Sequence, residues 1–215
     1  MNPPTSKIFA VAHALAMQNT SCVHQTFQQS ETWQMHLNHA FGHIKFHADK
    51  GIQLITTSDL QYPRELAKIP NPPKLLYAMG NLDLLNSRAV AIIGARKASH
   101  HGHAIAAKVS TFFSNSNITV VSGLALGIDA AAHQACVASK GSTIAVLAHG
   151  LHQITPKQNV HLAENILSNG GLLISEHPFG VEPKRHFYPK RNRIQVGLSD
   201  VSIIIESTLN LSFLK

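Results

Sequence analysis

The sequence predicts a doubly wound α/β fold built on a mostly parallel sheet, with a small helical segment ahead of it. Three observations carry this. Five short apolar runs follow one another from residue 89 onward: AVAIIG (89–94), ITVVSG (118–123), TIAVLAHG (143–150), GGLLISEHP (170–178) and DVSIIIES (200–207). Continuous apolar runs of this length are typical of strands in a parallel sheet covered on both faces. Helix-like segments separate most of them, which implies right-handed βαβ crossovers. Glycines close several runs, where a strand hands over to a helix.

Residues 1–50 read as a polar, helical N-terminal segment containing Trp33. His36, His39, His43 and His47 lie at steps of three, four and four, which puts four imidazoles on one helix stripe. Imidazoles a turn apart can chelate a metal. Apart from Asp49, no carboxylate or cysteine pattern accompanies them, so the stripe reads as a solvated polar face and no metal site is assigned. Residues 51–88 read as an irregular Pro-rich connecting arm. Pro63, Pro70, Pro72 and Pro73 punctuate it, and PPKLLYAMGN looks like an extended piece leading into a turn. The α/β domain then occupies 89–215. The turn ARKASHHG follows its first strand, then a helix with Ile105, Val109, Phe112 and Phe113 on one face, and a later helix is expected near 157–168.

Composition narrows the function classes. The chain has 215 residues, 44% of them apolar, enough for one full domain and a small appendage. No apolar run approaches the roughly 18 residues of a membrane span, and no membrane partner is expected. The N-terminal apolar patch lacks the flanks of a signal peptide. Cys22 and Cys136 make no disulfide framework, which fits a reducing, cytoplasmic setting. Eighteen Lys and Arg against eleven Asp and Glu give a net charge of +7, and that excess suggests a polyanionic partner. The 15 histidines add latent positive charge below about pH 6.5.

In an open parallel sheet, ligands bind beyond the carboxyl ends of the strands. The candidates are therefore Gly94 to Arg96, Ser122 to Gly127, His149 with Gly150, and Ser175 with Glu176. In ITVVSGLALGIDAAAH, Gly123 and Gly127 permit close backbone approach, and the N–H groups of the following helix start face any nearby anion. The turn is a candidate phosphate cradle. Arg96 is placed to grip a phosphate bidentately, its structural alternative being an ion pair with Asp129 or Glu176. Between the last two strands lies KRHFYPKRNRIQVGLSD, with Lys184, Arg185, Lys190, Arg191 and Arg193 around Phe187 and Tyr188. Cations that track a backbone, with aromatics on which bases stack, are the chemistry of single-strand binding.

YPRELAKIPNPPKLLYAMGN, AVAIIGARKAS, VVSGLALGIDAAAH, PKQN, SEHPFG and YPKRNRIQVGLSD, in this order over residues 62 to about 206, resemble the DprA/Smf family of DNA-processing proteins of natural transformation. The resemblance implies an extended Rossmann-like domain, a non-enzymatic role and no cofactor. It implies partners in single-stranded DNA, the RecA recombinase and a second copy of the chain. It assigns DNA contacts to Arg96, Ser122, Gly123, Gly127, Tyr188, Lys190, Arg191 and Asn192. Leu126 stands where the family commonly has Arg, His101 and His177 where it has Tyr, and Thr155 where YP is typical. The family usually continues past the last strand, whereas this chain reads ESTLNLSFLK and stops, which suggests a sheet incomplete at its C-terminus, truncated near Leu211. A Rossmann-type nucleotide hydrolase is the enzymatic alternative. No PGGxGTxxE string is present, and only Glu176 and Glu206 could supply its carboxylate. A dinucleotide oxidoreductase would need a GxGxxG helix start, which is absent. A non-functional remnant is the third reading.

Overall fold

The computed structural model describes residues 5–19 and 31–206; Cys22, Leu211 and the rest of the terminal ESTLNLSFLK beyond Glu206 lie outside them. Two helices, α1 (Thr5–Asn19) and α2 (Glu31–Ala48), precede the sheet. The sheet strands are β1 (Gln53–Thr56), β2 (Leu75–Gly80), β3 (Ala89–Gly94), β4 (Thr119–Ser122), β5 (Thr143–Leu147), β6 (Leu172–Ser175) and β7 (Val201–Ile205). Between them run α3 (His100–Asn115), α4 (Ile128–Ala138), α5 (Val160–Ser168) and α6 (Phe187–Gly197). The strand order is β1-β2-β6-β5-β4-β3-β7. Strands β3 to β7 pair in parallel, and β1 and β2 add antiparallel at the β6 edge. This is the expected α/β sheet, and all five apolar runs are strands.

Two strands lie where the sequence reads as irregular arm. β1 and β2 fall within 51–88, and β2 is the LLYAMG that was expected to be extended but outside the sheet. The prolines sit before β2 and so break no ladder hydrogen bond. Alternation then fixes the sides. Leu54, Leu75, Tyr77, Ala145, Leu147 and Leu173 face one core with α1, α2 and α5, and Val90, Ile92, Val120 and Ile205 continue that face under α3 and α4. Ile55, Leu76, Ala78, Val121, Ile144, Val146 and Ile174 face the other, which α6 covers through Ile194 and Leu198. Side chains two apart share a face, so each strand feeds both cores.

The histidine stripe of α2 divides: His39 is exposed, as a solvated face would be, while His43 and His47 turn to the sheet. His43 Nε2 meets the Tyr77 hydroxyl at 2.9 Å. His47 is buried, its Nδ1 lies 2.7 Å from the His43 carbonyl, and its Nε2 accepts the Phe179 N–H at 3.2 Å. These two lie at the seam between α2 and the sheet. Among the described residues, no group of three or more His, Cys, Asp and Glu is arranged to hold a metal.

Candidate nucleic-acid interface

The carboxyl ends of β3 and β4, with the start of α6, enclose the candidate site. Gly94 ends β3 where a Cβ would lie 2.1 Å from the Ile205 carbonyl, so only glycine lets β7 and α4 close in there. Two residues on, Arg96 is exposed and its guanidinium lies 4.7 Å from the centroid of the Tyr188 ring. Tyr188 is the second residue of α6, and Pro189 follows it in the first turn, where its missing N–H has no helical partner to lose. Among the described residues Arg96 forms no ion pair; Glu176 is taken by Arg193 at 2.6 Å. A cleft of about 420 Å³ opens beside the Arg96–Tyr188 pair, with Arg185 on its wall and Asp129 and Ile93 at its base. A smaller hollow of about 100 Å³ adjoins it, lined by Leu126, Thr155 and Pro156 and sharing Arg96, Ala125 and Tyr188.

Beneath this rim the glycine turn is held from three sides. Arg191 is buried and donates from Nη1 to the carbonyls of Gly123, at 2.8 Å, and Val146. Asn159, from the PKQN segment, donates from Nδ2 to the carbonyls of Leu124 (2.8 Å) and Ala125 (3.2 Å). Asp129 Oδ2 accepts the N–H groups of Gly123 (3.1 Å) and Ala125 (3.4 Å). Burial pushes the Asp129 carboxyl above its ordinary range, and the Arg191 guanidinium and the backbone donors oppose that rise. Burial in turn lowers the Arg191 guanidinium and Asp129 opposes that fall, so Arg191 is the countercharge of this buried acid.

The assigned residues thus divide. Arg96, Tyr188 and Lys190 reach the surface of the rim. Ser122 is fully buried and its hydroxyl donates to the Ile92 carbonyl at 2.6 Å. Asn192 is buried and its Oδ1 accepts from Arg191 Nε at 3.3 Å. A Cβ on Gly123 would meet the Arg191 guanidinium at 2.2 Å, so this glycine makes room for an arginine. Gly127, at φ +79°, lets the chain pass the Ala95 carbonyl, 2.2 Å from where a Cβ would stand. The backbone donors that sequence reasoning offered to a phosphate are partly consumed: Gly123 and Ala125 by Asp129, Ile128 by the Ala95 carbonyl at 3.2 Å. Arg185, named in the basic run but not among the assigned contacts, and Asn159, within the PKQN segment, also enter the site.

Residues 53–211 match the family described as DNA recombination-mediator protein A. The chain belongs to that family. It is 43% identical over 171 residues to Protein Smf of Synechocystis sp., an alignment covering 78% of this chain and 43% of the relative. It is 40% identical over 148 residues to DNA processing protein DprA of Streptococcus pneumoniae, covering 69% and 52%. The chain spans about half the length of the curated relatives it matches. Among solved structures, DprA of Streptococcus pneumoniae superposes with a TM-score of 0.71 at 30% identity, over 97% of this chain and 75% of that one. DNA processing protein A of Helicobacter pylori, described for its single-stranded DNA binding mode, gives 0.66 at 30% identity, over 74% and 72%. The chain thus shares its fold with both of these structures.

Proposed function

We propose that the chain is a non-enzymatic DNA-processing protein that binds single-stranded DNA along the β3–β4–α6 rim, acts in natural transformation and passes the strand to a RecA-type recombinase, working in the cytoplasm as a dimer. The observation that carries this reading is the Arg96–Tyr188 pair. An exposed guanidinium with no carboxylate partner among the described residues lies on a half-buried aromatic ring, beside a cleft walled by Arg185. The cation meets phosphate, and the ring offers a π-face to a base, a contact worth about 1–3 kcal/mol per base. The printed description of the Helicobacter pylori relative points to the same ligand. The carboxylates that a hydrolase would need are both engaged, Glu176 with Arg193 and Glu206 with Ser99.

Fluorescence anisotropy with labelled oligo-dT tests this. Phosphate contacts on single strands each contribute about −0.7 to the slope of log K against log salt, so cations at Arg96, Arg185 and Lys190 give a slope of about −2. Arg96→Ala with Lys190→Ala is expected to weaken every oligonucleotide alike and to flatten that slope. Unchanged affinity in the double variant would overturn the site. Size exclusion and a RecA-loading assay on the same preparation test the dimer and the hand-over.

A further inference from the structure

In sheets of this kind, the backbone N–H groups of a glycine turn and of the helix start it leads into form a ready anion seat. Here the chain supplies its own anions. In the glycine turn that leads into α4, the carboxylate of Asp129, a residue only 3% exposed, takes the N–H groups of Gly123 and Ala125. At α3, Glu206, the residue after β7, takes the Ser99 N–H on Oε2 at 2.7 Å and the Ser99 hydroxyl on Oε1. A Cβ on Gly102 would lie 2.5 Å from the Glu206 carboxylate, so that carboxylate rests against the first turn of α3. The strand order reverses between β3 and β7, so the Glu206 seat lies at the reversal and the Asp129 seat lies after β4, the next strand along.

We infer that Asp129 and Glu206 are specificity-determining residues that occupy the phosphate seats of this sheet and thereby exclude free nucleotides and pyrophosphate. A terminal phosphate carries nearly two charges and seeks clustered backbone donors. An internal phosphodiester carries one and is held by side-chain cations such as those on the rim. With the seats filled, only a polymer that spans several rim cations gains enough contact to bind. This last step rests on the single-strand reading; the exclusion itself does not.

The test is thermal unfolding at constant ionic strength, with oligo-dT anisotropy run on the same preparations. The wild-type chain is expected to show no saturable shift with pyrophosphate or ADP. Asp129→Ala vacates the α4 seat, and pyrophosphate or formate is expected to raise its Tm saturably, by about 5 °C at a hundredfold excess over Kd. Should Asp129→Ala not fold, Glu206→Ala at the exposed α3 seat is read in the same way. Saturable stabilisation of the wild type by pyrophosphate or ADP overturns the inference, as does a folded seat variant that no anion stabilises. A wild type that binds neither oligo-dT nor pyrophosphate defeats the single-strand reading and leaves the exclusion standing.

Discussion

Arg96 and Arg191 look alike in the sequence, each basic and each next to the proposed rim, and the fold gives them opposite tasks. Arg96 lies in solvent on Tyr188, while Arg191 is a strut whose guanidinium joins the glycine turn to β5. The signal that separates them is helical period. Arg191, Ile194, Gln195 and Leu198 fall at steps of three, one and three and are all buried, so Arg191 sits on the inward stripe of α6. A basic run draws attention to charge and hides that stripe. Removing one partner of a buried charge network typically costs about 3–5 kcal/mol, and exposed substitutions stay within about 0.5 kcal/mol. Urea unfolding should therefore place Arg191→Ala several kcal/mol below the wild type, with Arg96→Ala near it, whereas oligo-dT affinity should fall directly in Arg96→Ala. Leu126 supplies the converse experiment. It is 40% exposed and lines the smaller hollow, so Leu126→Arg adds a cation to the rim at little cost to the core. The expected result is tighter oligo-dT binding and a salt slope steeper by about 0.7.

Among the elements, the five parallel strands were legible because each is an apolar run ended by a glycine or turn residue; β3 to β6 are covered on both faces, while β7 at the edge leaves Val201 and Ile204 exposed. β1 and β2 were not. β1 has four residues, and β2 follows three prolines within four positions, so local composition reads as a loop while tertiary pairing with β6 makes a strand. The histidine spacing on α2 was legible too, but not the side it faces, because imidazole serves equally in water and against a tyrosine. That side has a consequence in acid. Burial, followed by His47 and His39, pushes His43 down to about 4, and burial also lowers His47, with Lys50 adding to the effect. Tyr77 faces His43 from β2, and the Phe179 N–H points at His47 from the β6–α6 connection, so neither offers a carboxylate to a protonated ring. A histidine with a folded pKa below its unfolded value leaves stability untouched above about pH 6.5 and removes it as pH falls towards 4. His43 is about half exposed, so solvent screening limits the loss to about 1–2 kcal/mol. Amide hydrogen exchange along α2 should accelerate between pH 6.5 and 4, and His43→Gln should flatten that dependence.

At the scale of the whole molecule, the sheet runs across the boundary that the sequence suggested at 88/89. β2 pairs with β6 over four residues, and β1 pairs with β2, so the arm is the sheet's antiparallel edge. Through alternation it feeds both cores: Leu54, Leu75 and Tyr77 on the face of α1, α2 and α5, and Ile55, Leu76 and Ala78 on the face of α6. A fully buried large apolar side chain contributes about 1.5–3 kcal/mol, and the net stability of a domain is only about 5–15 kcal/mol. Deleting residues 1–88 would strip these side chains together with the fully buried Ile52 and Leu66, and bare the β6 edge. A fragment of residues 89–206 is therefore expected to give a broad, non-cooperative urea transition and to lose oligo-dT binding. The lost binding follows from the strut, since Val146 on β5, one of the two carbonyls that anchor Arg191, is held in register by β6. A sharp transition with retained binding would instead make the parallel strands a self-sufficient unit, and the antiparallel edge an ornament on it.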